Sequence, residues 1–243
     1  MVVVIPTLPS SCQRRRLQGR SRECALFQAE PMDLDFEFAT AAAAAGRRSE
    51  DRAEVFAHDG TLIVVVADGA GGVAGGAAAS DAIVRAVQAK SAGSPLDSFD
   101  VRAWSDVLVT ADAELARSRD AGETTAVVIV VGPHGVLGVS AGDSEAWVVG
   151  PRADRLTAQQ DRARVGTGRC RPTAFHRPQL GGVLVVATDG LFKYARSDAI
   201  LAACAAADVS TLAERLVDLP KLRSGAYPDD LAVVVVIPRS TPL

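Results

Sequence analysis

The chain has 243 residues, 48% of them hydrophobic and 23% charged, with a formal net charge of −3. This is the composition of a globular chain with enough apolar material for one sizeable core, and its slight acidity gives no reason to expect nucleic acid as a partner. No apolar run approaches the roughly 20 residues of a membrane span, and the scattered Cys12, Cys24, Cys170 and Cys204 read as reduced thiols of a cytoplasmic protein rather than a disulfide framework.

The first 31 residues differ from the rest. An apolar start is followed by Arg14, Arg15, Arg16, Arg20 and Arg22, the reverse of the order in a secretory signal. They read as a disordered extension or an upstream start codon ahead of Met32, with a basic docking tail as the alternative. One domain is expected over 32–240. Residues 34–38 alternate as a strand with one solvated face, and an Ala run, 41–45, follows. Strands 53–58 and 61–67 flank the turn dipeptide Asp59-Gly60. The glycine-rich stretch 69–76 opens a helix over 77–89, and residues 99–118 form a second, with Trp104, Leu108 and Leu115 facing inward.

Strands 124–131, 136–141 and 145–149 follow, separated by turns short enough to make antiparallel neighbours. Residues 151–181 show little periodicity and read as loop. After a strand over 183–188 come helices at about 197–206 and 209–219, then a closing strand, 231–237. Two successive helices between meandering strands indicate an α+β layered domain.

Three of the apolar strands end or begin at an aspartate: Asp68, Asp189 and Asp229. An ionised carboxylate is costly to bury unless it is paired or metal-bound, and oxygen ligands suit hard divalent cations. Taken alone, Asp68-Gly69 could be a plain turn. Its recurrence at Asp189-Gly190 and Asp229 favours a metal site. The setting of 69–75, between strand and helix, would also suit a dinucleotide, but Asp68 would repel the pyrophosphate and no repeated βαβ unit follows.

These residues resemble motifs of the metal-dependent PP2C-type (PPM) serine/threonine phosphatases, in order along the chain. Asp68-Gly69-Ala70-Gly71-Gly72 is similar to that family's DGxGG, Glu123-Thr124-Thr125-Ala126 to its GST-A segment and Gly142-Asp143-Ser144 to its GDS. Thr188-Asp189-Gly190 matches its (S/T)DG, Asp229-Asp230-Leu231-Ala232-Val233-Val234 its terminal D(N/D)-x-(T/S)-V-V, and Glu50-Asp51 its acidic pair. The resemblance covers about 46–237. It implies a four-layer α-β-β-α sandwich of two antiparallel sheets flanked by helices, with two Mn²⁺ or Mg²⁺ ions at one end. It further implies that Asp68 bridges the ions, the Gly69 carbonyl binds one, Asp189 and Asp229 hold one, and Glu50 reaches the other through water. Asp143 would ligate a third.

The implied activity is hydrolysis of phosphoserine or phosphothreonine in proteins by a metal-bridged water, in a bacterial cytoplasm, on substrates of a serine/threonine kinase. The phosphate-binding arginine is expected four residues before Glu50, where this chain has Gly46. A one-residue shortening would let Arg47 serve; Arg48 is a second possibility, and a third is that neither does. Ala70 stands where many eukaryotic members have His, Glu145 replaces the Arg of GDSR, and the stretch between Asp143 and Asp189 is short, so the substrate flap should be reduced. A catalytically weak regulatory or phosphoprotein-binding module is the alternative reading. Asp230 reads as a solvated neighbour, Thr124 and Thr125 as plain strand residues, Trp104 and Trp147 as core, and His58, His134 and His176 as solvated.

Overall fold

The computed structural model describes residues 35–58, 60–70, 75–92, 99–118, 120, 122–205 and 208–239, together with the backbone of Val3–Val4. The expected extension, 1–31, otherwise lies outside the described residues, as do Cys12, Cys24, Asp59 and 71–74.

Thirteen strands occur among the described residues. They are β1 (Val3–Val4), β2 (Phe36–Ala43), β3 (Arg52–His58), β4 (Thr61–Ala67), β5 (Gly69–Ala70), β6 (Glu123–Thr124) and β7 (Ala126–Gly132), followed by β8 (Gly135–Ala141), β9 (Glu145–Val149), β10 (Ala153–Arg155), β11 (Thr173–Arg177), β12 (Val183–Ala187) and β13 (Leu231–Pro238). One sheet runs β1-β3-β4-β7-β8-β11 and the other β10-β9-β12-β13-β2, with β5-β6 as a separate ribbon. All pairings are antiparallel.

Burial on both faces explains the unbroken apolar strands. In β4, Leu62, Val64 and Val66 pack between the sheets, where they meet Leu184, Val186, Val234 and Val236. Ile63, Val65 and Ala67 point the other way, onto helices α1 (Gly75–Ser91) and α2 (Val101–Leu115), through Ile83, Val87, Trp104 and Leu108. The second sheet is covered likewise. Val185, Val233 and Val235 meet helices α3 (Asp189–Tyr194), α4 (Ser197–Ala205) and α5 (Val209–Asp218), through Leu191, Ile200, Leu212 and Leu216. A strand with helices behind it and a sheet in front has no solvated face, so alternation disappears from its sequence. The result is the expected four-layer α-β-β-α sandwich.

Three expectations are corrected. The stretch 151–181 is not all loop: β10 and β11 lie in it, and β11 forms the edge of the first sheet by pairing with β8. Its half-exposed TAFHR carries too weak an apolar signal to read as a strand. The strand expected over 124–131 is broken at Thr125, with β6 turning away to pair with β5, Gly69 opposite Thr124. His58 is buried rather than solvated, since β3 is covered on both faces, while His134 and His176 are exposed.

A candidate metal centre at the mouth of the sandwich

One end of the sandwich collects the C-terminal ends of β4, β8 and β12 and the N-terminal ends of β3 and β13. The registers Arg52↔Ala67, Ala126↔Ala141 and Ala187↔Glu145 place them there. Carboxylate oxygens of Asp68, Asp143 and Asp189, all half-buried, lie within 4.8 Å of one another. Rigid strand ends aim them at a shared point, which loops alone would do less reliably.

Asp68 is held by its backbone. Its N–H donates to the Thr125 hydroxyl (2.9 Å), and its carbonyl accepts from the Thr125 N–H (2.9 Å) and the Thr124 hydroxyl (3.0 Å). The Thr125 and Ser144 hydroxyls lie 2.6 Å apart, tying this grip to the turn that carries Asp143. Thr124 and Thr125 are therefore positioning groups as well as strand residues, and the break in the strand at Thr125 is what lets both turn toward Asp68. Gly142 turns that corner at φ +91°, where a side chain would be strained. Asp189 starts α3, with the buried Thr188 in the N-cap position. A Cβ at Gly190 would strike the Asp230 carbonyl, so only glycine lets α3 begin against the start of β13.

Asp229 stands beside this group. Its carboxylate accepts from Lys193 Nζ at 3.4 Å, and its charge bears on both Asp68 and Asp189. Glu50 lies on the Gly69 side of the group: its carboxylate reaches the start of α1, where a Cβ on Gly76 would meet both Glu50 Oε2 and the Gly69 carbonyl carbon (2.7 Å). The Glu50 carbonyl accepts from the Ser80 hydroxyl at 2.6 Å. The neighbouring Asp51 carboxylate feels the charges of Asp68, Asp230 and Asp189. Asp51 is only 5% exposed, and its Oδ2 has no hydrogen-bond partner among the described residues. Asp143 Oδ1 is likewise buried and unpartnered.

Asp230 is not a solvated neighbour. Its two oxygens accept from the Ala45 and Glu50 N–H groups, each at 2.8 Å, and so close the connection between β2 and β3. Backbone donors had to be brought within reach before that carboxylate could bind them, which its position beside Asp229 does not show. Arg47 and Arg48 lie exposed within the connection. Glu145 accepts from the indole N–H of Trp147 (2.7 Å) and pairs with Arg155 (3.0 Å). Trp104 is fully core, whereas Trp147 is partly buried and stacks on Phe192.

The carboxylates repel one another. Burial, reinforced by the charges of Asp68, Asp230 and Asp189 and opposed by a hydrogen bond with Thr188, pushes Asp51 up to about 8. Burial and then Asp189 raise Asp68 to about 6, against the pull of Arg164. Asp189 is raised by burial, Asp143 and Asp229, with Lys193 and Arg164 opposing. Crowded oxygen donors with orphaned buried atoms form a donor set that fits hard divalent cations.

Comparison with solved structures agrees with this architecture. The catalytic domain of the serine/threonine phosphatase PstP, solved with two manganese ions, superposes with a TM-score of 0.71 at 22% identity, over 83% of this chain and 97% of that one. Serine/threonine phosphatase Stp1 from Staphylococcus aureus gives 0.71 at 19% identity, over 90% and 98%. The PPM Ser-Thr phosphatase MsPP from Mycobacterium smegmatis, in complex with cacodylate, gives 0.66 at 22%, over 82% and 97%. The fold is that of the PPM phosphatases. No family model and no curated protein sequence matches the chain. Among the described residues no helix is long and apolar enough to cross a membrane.

Proposed function

We propose that this chain is a metal-dependent phosphatase acting on phosphoserine or phosphothreonine in proteins. One observation carries the reading: the convergence of Asp68, Asp143 and Asp189 oxygens within 4.8 Å at the mouth of a PPM-type sandwich. Asp68 stands at the centre, where its charge meets those of Asp189, Asp143 and Asp229. Asp68 would serve two cations, with Asp189 and Asp229 as further ligands of one, the Gly69 carbonyl as a ligand of the other, and Asp143 available for a third. Asp51, deeper than the others, and Glu50, against α1, back this group from the β3 side.

When bound, Mn²⁺ or Mg²⁺ supplies positive charge for the phosphoryl oxygens and lowers the pKa of the attacking water. The chain's part is to fix the carboxylates by strand ends and the Thr124–Thr125 grip, so that they need not reorganise during the reaction. A phosphoprotein made by a serine/threonine kinase is the substrate that fits the motif resemblance and the neighbours' activity, and a cytoplasmic location fits the buried reduced thiols of Cys170 and Cys204.

Purified protein assayed on p-nitrophenyl phosphate and a phosphothreonine peptide should turn over with Mn²⁺ or Mg²⁺ and stop with EDTA. Mn²⁺ at about 100 times its dissociation constant should stabilise the fold by about 2.7 kcal/mol, read as a rise in melting temperature. Metal-induced stabilisation without turnover would favour the regulatory-module reading. The absence of both effects would end the metal-site reading.

A further inference from the structure

A phosphoester entering a cluster of carboxylates needs a cation to hold its remaining oxygens. The sequence offers Arg47 or Arg48. Both lie on the exposed tip of a connection whose ends, at Ala45 and Glu50, are tied to the same Asp230 side chain. Between those two bonds Gly46, Arg47 and Arg48 are exposed.

Arg164 is placed differently. It is half-buried and walls a cleft of about 450 Å³ with Ala70, Gly122, Glu123 and Gly166, directly beyond Asp68-Gly69. Its charge acts on both Asp68 and Asp189. No described residue takes a hydrogen bond or ion pair from its guanidinium. The backbone beside it is fixed on both sides. Val165 exchanges two hydrogen bonds with Thr124 (2.9 and 2.8 Å), and the Thr124 hydroxyl in turn grips the Asp68 carbonyl. Downstream, the buried Asp112 carboxylate of α2 accepts from the N–H groups of Gly166 (2.7 Å), Gly168 (2.9 Å) and Cys170 (3.0 Å). Gly166 has φ +105°, and a Cβ there would press on the Gly122 carbonyl at 2.8 Å. A stretch without helix or strand is thus built to a fixed shape around one arginine.

We propose that Arg164, rather than Arg47 or Arg48, binds the phosphoryl oxygens, and that the cleft it walls is the path by which the phosphorylated side chain reaches the aspartates. The planar guanidinium presents paired N–H donors that match two phosphoryl oxygens, which an ammonium does not. The buried Asp112 is the positioning residue that holds the segment in place. This inference rests on the phosphatase reading, and its test separates the two.

The experiment compares wild type, Arg164→Ala, Arg164→Lys, Arg47→Ala and Arg48→Ala at saturating Mn²⁺. Three quantities are measured: kcat/KM on p-nitrophenyl phosphate, calorimetric affinity for inorganic phosphate, and the Mn²⁺-induced rise in melting temperature. Arg164→Ala should lower kcat/KM about 100-fold, weaken phosphate binding and retain the Mn²⁺ response, with Arg164→Lys recovering part of both losses. Its loss should exceed those of Arg47→Ala and Arg48→Ala. A larger loss in Arg47→Ala, or an Arg164→Ala protein that binds phosphate like wild type, overturns the proposal. So does loss of the Mn²⁺ response in Arg164→Ala, because the arginine would then be supporting the aspartates. An inactive wild type would sink the phosphatase reading, and phosphate affinity would still decide the role of Arg164.

Discussion

Asp112 and Asp51 are carboxylates of equal burial, each 5% exposed, and their surroundings treat them in opposite ways. Asp112 accepts three backbone N–H bonds from one segment. Asp51 has an oxygen without a partner, and Asp68, Asp230 and Asp189 crowd it with like charge. The first carboxylate is satisfied by the protein and holds a segment in shape. The second is held among charges the protein does not neutralise, which is the condition of a site that takes cations. Burial alone does not separate a structural carboxylate from a functional one; its partners do.

The largest effect expected on the crowded side is at Asp189. Asp189→Asn should reduce metal-dependent turnover by more than the roughly 100-fold that a supporting residue behind a metal ligand is worth, while urea titration shows a metal-free fold at least as stable as wild type. Retained turnover would remove the acidic cluster from the chemistry.

On the satisfied side the sign reverses. Asp112→Ala leaves three buried N–H groups without their acceptor and should destabilise the metal-free chain by about 2–3 kcal/mol in urea unfolding. An unchanged urea midpoint would mean that the 166–170 segment is held by other contacts.

The smallest effect is the pH dependence of the metal-free protein. Asp51 and Asp68 have folded-state values raised to about 8 and about 6. The stability they contribute is therefore present below the ordinary carboxylate range and is lost as pH rises through those values. The melting temperature of the metal-free chain should fall between pH 5 and 8 by a few degrees. Asp51→Asn should flatten that fall, and Mn²⁺ should reverse it by taking the place of the protons. A metal-free melting temperature that climbs over this window would contradict the crowding.

Much of the fold was legible because burial on both faces writes itself into strands such as Thr61–Ala67 and Leu231–Pro238 as continuous apolar runs. The strands at 145–149 and 183–187 were read from their apolar residues and four of the helices from helical spacing, whereas α3 (Asp189–Tyr194) is too short to show a period. The edge strand Thr173–Arg177 escaped because a half-exposed edge needs few apolar residues. Asp68, Asp189 and Asp229 were singled out because a charge at the end of a buried strand has few structural uses, and Asp143 only through the motif resemblance. Asp51 lies beside the acidic residue that motif register selects. Only its burial, its unpartnered oxygen and the like charges around it reveal it.

The sequence by itself determined a layered α+β domain, the strand-end aspartates and the oxygen-rich chemistry they suit. These follow from local pattern, since apolar runs and punctuating Asp-Gly pairs are properties of neighbours along the chain. Tertiary structure alone decided which carboxylate is satisfied and which is crowded, and which arginine faces the cleft. Asp112 meets its donors 54 to 58 residues away, and Asp230 meets its own 180 and 185 residues away. Such partners are joined by packing across layers, so no local pattern carries them.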